Sequence, residues 1–153
     1  MKKKICYVAS AGGHLEEILG LEPLRHDYES ILITEKTNFK PDVWQNEVYT
    51  VPAVNRDEWN FIFKLVVIFF KGLGVLVSQR PHCIISTGAL MTVPVCLAAK
   101  FLGKRVIYIE SIARVRSGSA TGKLLYRFAD LFIVQWETML DVYPNAVVGG
   151  KLI

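Results

Sequence analysis

Gly12-Gly13-His14 is the first place in this sequence where residue types and spacing could do chemistry. A histidine just behind a tight glycine turn sits where a ligand would arrive, and an imidazole is a side chain suited to proton transfer. His14 therefore reads as a general base, or else as a histidine that only hydrogen-bonds an anion or the neighbouring loop. Glu110 is the second such residue. It could orient or deprotonate a hydroxyl, or it could be a structural partner for nearby arginines and the Gly88 loop. Arg114 and Arg116 alternate across Val115 ahead of Ser117-Gly118-Ser119, an arrangement that can cradle a pyrophosphate. The other reading of that pair is a solvated basic loop. Ser10, Gly12, Gly13, Thr87 and Gly88 are small residues that would let a phosphate or sugar approach the backbone.

Other chemistries are disfavoured. The glycine turn has no G-x-G-x-x-G and no Walker lysine, so a dinucleotide or ATP has little support. Cys6, Cys83 and Cys96 lie in apolar runs without metal-ligand spacing and read as buried reduced thiols. No metal site or cofactor is expected. The net charge of +4 and pI near 9.0 are too dispersed for a nucleic-acid stripe. With 52% apolar residues and a mean hydropathy of +0.32, an anionic membrane surface is the better partner. No signal peptide, repeat or linker is evident, and 153 residues suit one domain spanning 1–153.

The elements that must position these residues follow from hydrophobic pattern. Residues 5–8 form an apolar run behind three lysines and read as a buried parallel strand, while Leu15, Ile18 and Leu19 begin a helical period. Strand, glycine turn and helix are how a Rossmann-like unit opens, with free N–H groups at the helix start. Further strands are predicted at 29–34, 47–51, 82–86, 105–109 and 131–134, with a polar loop at 36–46. Helices are predicted at 57–78, from about Pro94 to Leu102 with Gly103 as cap, and at 118–128. The fold class is α/β: a single Rossmann-like domain with a mostly parallel sheet covered on both faces. Ligands in such sheets sit beyond the carboxyl ends of the strands. That rule gathers 10–14, 86–90 and 110–116 onto one rim. Glu35, after the second strand, keeps open a stand-alone small-molecule binder. His26, His82, Lys123 and Arg127 read as surface or strand-edge residues. Trp136, Glu137 and Tyr143 could form a docking edge or simply pack on the sheet.

Residues 59–77 are almost uninterruptedly apolar. Lys64 and Lys71, seven apart, share a narrow polar stripe with Asn60 and Ser78. A spanning helix would place these lysines in the bilayer at up to ~2.5–3.5 kcal/mol each and split one sheet across the membrane. The expectation is a helix lying in the interface, with Trp59, Phe63, Phe69 and Phe70 as membrane contacts and part of its apolar surface on the sheet.

The strings Tyr7-Val8-Ala9-Ser10-Ala11-Gly12-Gly13-His14, Ile85-Ser86-Thr87-Gly88-Ala89 and Tyr108-Ile109-Glu110-Ser111-Ile112-Ala113-Arg114-Val115 resemble a known family. It is the membrane-anchoring subunit of the two-chain N-acetylglucosaminyltransferase of the dolichol pathway, whose bacterial relatives serve capsule and exopolysaccharide synthesis. The similarity runs nearly the whole chain, through Phe128-Ala129-Asp130 to Gly150-Lys151-Leu152-Ile153. More distantly, the sequence is similar to the N-terminal half of the single-chain transferase that completes the lipid-linked peptidoglycan precursor. The resemblance implies the N-terminal half of a GT-B enzyme, supplying the lipid-acceptor side while a donor-binding subunit holds the UDP-sugar. It implies transfer of a hexose to a polyprenyl-pyrophosphate-linked sugar, at the cytoplasmic face of the plasma membrane and by peripheral attachment. It also implies an acceptor-side role for His14. Eukaryotic members open with a transmembrane helix, whereas this sequence opens at its first strand, so anchoring is expected elsewhere and a bacterial member is the better fit. A GT-B site is a cleft between two Rossmann-like domains, and this length makes one. A non-catalytic scaffold that recruits the donor-binding subunit is the alternative.

Overall fold

The alternation of apolar runs and amphipathic stretches resolves into a three-layer arrangement. The computed structural model describes residues 2–37, 44 and 47–153. β1 (Lys4–Ala9) leads into α1 (Gly13–Leu19) and α2 (Glu22–Asp27), followed by β2 (Glu29–Glu35) and β3 (Val48–Val51). Then come α3 (Phe61–Gln79), β4 (Cys83–Gly88), α4 (Thr92–Phe101), β5 (Arg105–Ile109), α5 (Ala120–Leu125) and β6 (Leu131–Val134). A 3-10 helix (Glu137–Asp141) and β7 (Val147–Val148) close the chain. The strands form one sheet in the order β3-β2-β1-β4-β5-β6-β7, with every neighbouring pair parallel.

Parallel strands need crossovers, and the crossovers bury both faces of the sheet. On one face Cys6, Val8, Ile84 and Val106 meet Ile68 and Leu76 of α3 and Val95 and Cys96 of α4. On the other, Ile5, Tyr7 and Leu32 meet Leu15 and Ile18 of α1. The chain leaves β1 toward β2 but leaves β4 toward β5, so the strand order reverses between the two central strands. That reversal is the switch point at which such sheets open a crevice. The carboxyl ends of β1, β4 and β5 are adjacent there, which brings the three expected rim segments together.

Several elements differ from the sequence expectation. The first helix breaks at Gly20, where a Cβ would lie 2.5 Å from the backbone oxygen of Leu152; the C-terminal tail crosses at that spot. The helix expected from position 57 starts at Phe61, because Asn55 Oδ1 accepts from the Asp57 N–H (3.1 Å) and holds a turn ahead of it. The helix expected at 118–128 begins only after Ser119, whose hydroxyl accepts from Gly122 N–H as an N-cap. β7, at two residues, is too short to show a period. Gly103 takes the left-handed conformation (φ 69°) just past α4, in keeping with its capping role. Of the loop expected at 36–46, positions 38–43, 45 and 46 lie outside the described residues.

Candidate functional site

His14 enters the rim one residue into α1. The turn before it needs Gly12, which has φ 86° and no atom within 4 Å of where a Cβ would stand. The His14 backbone oxygen accepts from Thr87 Oγ1 (2.6 Å), so the β4 turn grips the histidine from behind. Gly88, at φ 121°, has no side chain because the imidazole is there: a Cβ would stand 3.1 Å from His14 Cε1 and 3.0 Å from the Tyr108 hydroxyl. The next residue, Ala89, also holds a positive φ of 80°, a strained backbone for a residue with a Cβ. Thr87 and Gly88 thus build the seat of His14. Thr87 and Ser10 are buried and stand beneath the rim, not on it.

His14 lines a cavity of about 660 Å³ at the switch point. Arg114 lines the same cavity, together with Ala89, Ser111 and Ala120. From the far side comes the loop after β3, which contributes Asn55, Arg56 and Asp57. Sequence reasoning missed this loop; the one available signal is an Asn-Arg-Asp turn just past Pro52. Arg116, expected beside Arg114, is exposed and outside the lining. Gly12 and Gly13 are exposed at the start of α1, and they too are outside the lining.

Glu110 is not open to a ligand, which corrects its reading as an acceptor-pocket carboxylate. It is 1% exposed. Its oxygens accept from Ser119 Oγ (2.8 Å), Ser119 N (3.1 Å), Tyr143 Oη (2.8 Å) and Ser111 N (3.2 Å). A carboxylate so fully supplied with donors holds structure. Burial, the hydrogen bond to Glu110 and the Glu110 charge all push the Tyr143 phenol well above its ordinary value, so it remains a donor. Glu110 therefore ties the base of the Arg114-bearing loop to the cap of α5 and to the C-terminal tail. Trp136 donates to the Ile112 oxygen (2.7 Å) and Thr138 to that of Val115. The aromatic tail packs on its own sheet.

Two other carboxylates stand near His14. Glu35, at the end of β2, is half-buried; burial pushes its carboxyl up, partly offset by a Val54 backbone hydrogen bond and the His14 charge. Glu17 lies one turn along α1 from His14 and is 1% exposed. Its Oε1 accepts from Ile112 N (2.6 Å), Ser111 Oγ (3.2 Å) and Gln135 Nε2 (3.3 Å). Its Oε2 is 3.7 Å from His14 Nδ1.

The polar loop leads, two residues beyond Asp57, into an apolar surface. Trp59 is 96% exposed, and Ile62, Phe63, Val66, Phe70 and Val77 follow it as exposed residues down one side of α3. The opposite side is core: a Cβ at Gly72 would stand 3.2 Å from Val95, and Ile68 and Leu76 are fully buried. Phe69, expected as a membrane contact, instead packs against the core cluster. Lys64 is held by Glu58 and the Ala53 oxygen (3.1 Å) at the helix start. By length and composition α3 could cross a membrane; its buried residues, Ile68, Gly72 and Leu76, pack it on α4 and the sheet and leave most of the helix uncovered.

A seven-strand parallel sheet with this reversal, and a cavity at its carboxyl rim, defines a Rossmann-like half of the GT-B glycosyltransferase fold. The chain belongs to the family described as "Oligosaccharide biosynthesis protein Alg14 like", which it matches over residues 27–152. A relative in Yarrowia lipolytica, named UDP-N-acetylglucosamine transferase subunit ALG14, is 31% identical over 98% of this chain and 68% of its own length. Among solved structures, Acinetobacter baumannii MurG superposes with a TM-score of 0.75 at 17% identity, over 89% of this chain and 42% of that one. A UDP-N-acetylglucosamine 2-epimerase from Rickettsia bellii superposes at 0.77 with 14% identity, over 99% and 46%. This chain spans less than half of either. The fold is thus shared by unlike activities, and the site must carry the functional reading.

Proposed function

We propose that this chain is the acceptor-binding, membrane-associating half of a two-chain glycosyltransferase. The observation that carries the reading is the adjacency of three features: His14 on the cavity, Arg56 and Arg114 on the same walls, and the exposed apolar side of α3 beginning beside it. A polyprenyl-pyrophosphate-linked sugar has the matching parts. Its tail belongs at the interface with Trp59, Phe63 and Phe70, its pyrophosphate suits two guanidiniums, and its sugar hydroxyl would meet the imidazole.

In this reading His14 is the general base. The acceptor oxygen attacks the anomeric carbon of a UDP-sugar as the bond from that carbon to the diphosphate breaks, with inversion. The hydroxyl proton passes to the imidazole and UDP leaves with the bonding electrons. The donor sits on a second chain, a reading supported by relatives that are named subunits of a UDP-N-acetylglucosamine transferase. The name borne by relatives favours UDP-N-acetylglucosamine as donor. From the sequence resemblance we take the setting as capsular or exopolysaccharide synthesis, with peripheral attachment to the cytoplasmic face of the plasma membrane.

The test is His14→Ala in the assembled pair. Turnover should fall ~10²–10⁴-fold, the span of a lost acid–base group, while complex formation persists. Unchanged turnover would replace catalysis with the scaffold reading, in which this chain only recruits and activates its partner.

A further inference from the structure

Glu17 is a buried carboxylate that the proposed mechanism leaves unused. Burying an ionised carboxylate is costly unless the charge is compensated. Glu17 is 1% exposed, and its three hydrogen bonds among the described residues converge on Oε1, from the Ile112 N–H, the Ser111 hydroxyl and the Gln135 amide. If its duty were only to hold the loop at positions 111–112, one neutral carbonyl oxygen would serve. The second oxygen, Oε2, is buried with no hydrogen-bond partner among the described residues, and so is His14 Nδ1. These two unpartnered atoms face each other at 3.7 Å. The surroundings fix both groups. Thr87 holds the His14 backbone, the Gly88 turn lies against the ring, and three donors hold the carboxylate.

We propose that Glu17 is the positioning residue for His14. It receives the Nδ1–H, so that the neutral ring keeps Nε2 as the acceptor on a residue that lines the cavity. The inference rests on His14 being the general base. A general base needs its free lone pair on the nitrogen that meets the substrate, and a carboxylate on the other nitrogen selects that tautomer and stabilises the imidazolium. When the acceptor hydroxyl attacks, its proton goes to Nε2. The positive charge that forms on the ring is balanced by Glu17 until that proton leaves to solvent. The present 3.7 Å separation closes to a hydrogen bond in the substrate complex, as such contacts commonly tighten there.

The test compares Glu17→Gln, His14→Ala and the double variant in the reconstituted two-chain enzyme. Glutamine keeps a carbonyl oxygen for Ile112 and Ser111 but loses the charge. Glu17→Gln should lower kcat by ~10²-fold or more, with KM for the lipid-linked acceptor unchanged. The double variant should be no slower than His14→Ala alone, the non-additivity of groups that act as a unit. If His14→Ala is impaired and Glu17→Gln retains full kcat, the positioning role is overturned while the base reading stands. A Glu17→Gln defect that adds in full to that of His14→Ala overturns it too. If His14→Ala has no effect, both fall. A second measurement needs no variant to fold: nitrogen-15 spectra of the full wild-type chain should show neutral His14 protonated at Nδ1. Protonation at Nε2 would overturn the proposal.

Discussion

A single methyl group can test the buried carboxylate at the end of β5. Gly122 packs so closely on Glu110 and the Tyr143 hydroxyl that a Cβ there would overlap the carboxylate oxygen. Gly122→Ala should therefore destabilise the chain by about 1–3 kcal/mol, the usual cost of overpacking a fixed site. Urea denaturation would measure it, and an unchanged midpoint would show that Glu110 is free to move. The sequence marks Glu110 as chemically interesting but cannot show that it is walled in. Its donors come from Ser111, Ser119 and Tyr143, the last 33 positions away. Gly88 is legible as a small residue at the rim, whereas the reason for it, the His14 ring, appears only when β1 and β4 lie side by side. Arg56 stayed hidden because nothing local ties the loop after β3 to the far wall of a cavity.

At the scale of elements, the central strands were legible because both of their faces are buried and they read as unbroken apolar runs. The ends of helices were less so, since turns at Asn55 and Ser119 override hydrophobic period. For α3 the composition announced a greasy helix but not which side is covered. The structure divides it, with Ile68, Gly72 and Leu76 inward and Phe63 and Phe70 outward. Phe63→Glu with Phe70→Glu should abolish flotation with anionic vesicles while leaving circular dichroism intact. Phe69→Glu should instead unfold the chain, because that ring packs on the core. A wild type that does not float, or a double variant that still does, would contradict interfacial attachment. The seam between β5 and β6 offers a second test. Burial pushes the Asp130 carboxyl up, but the Lys100 hydrogen bond, the Val106 N–H and the charges of Lys100 and Arg105 outweigh it and leave it below its usual value. A lowered folded-state pKa gives stability that is present above the unfolded value and lost as pH falls through the folded one. The stability advantage of wild type over Asp130→Asn should be full near neutrality, begin to fall as pH drops below about 4, and be lost once pH passes below the lowered folded value, as followed by urea midpoints.

For the whole molecule, the domain class follows from strand–helix alternation, and the strand order places the rim segments together at its reversal. The cavity at the carboxyl rim is lined by His14, Arg56 and Arg114, and the exposed apolar stripe begins at Trp59, two residues beyond Asp57 of the same lining. The match covers 42% of the MurG chain, so more than half of that chain lies beyond the part this fold superposes on. In the proposed function catalysis is divided between two polypeptides. That division is tested most directly by assaying sugar transfer from UDP-N-acetylglucosamine to a polyprenyl-pyrophosphate-linked sugar in anionic vesicles. The assay is run with the purified chain alone and again with a donor-binding partner chain. No transfer is expected from either chain alone and turnover is expected from the pair; robust transfer by this chain with no second protein present would contradict the division.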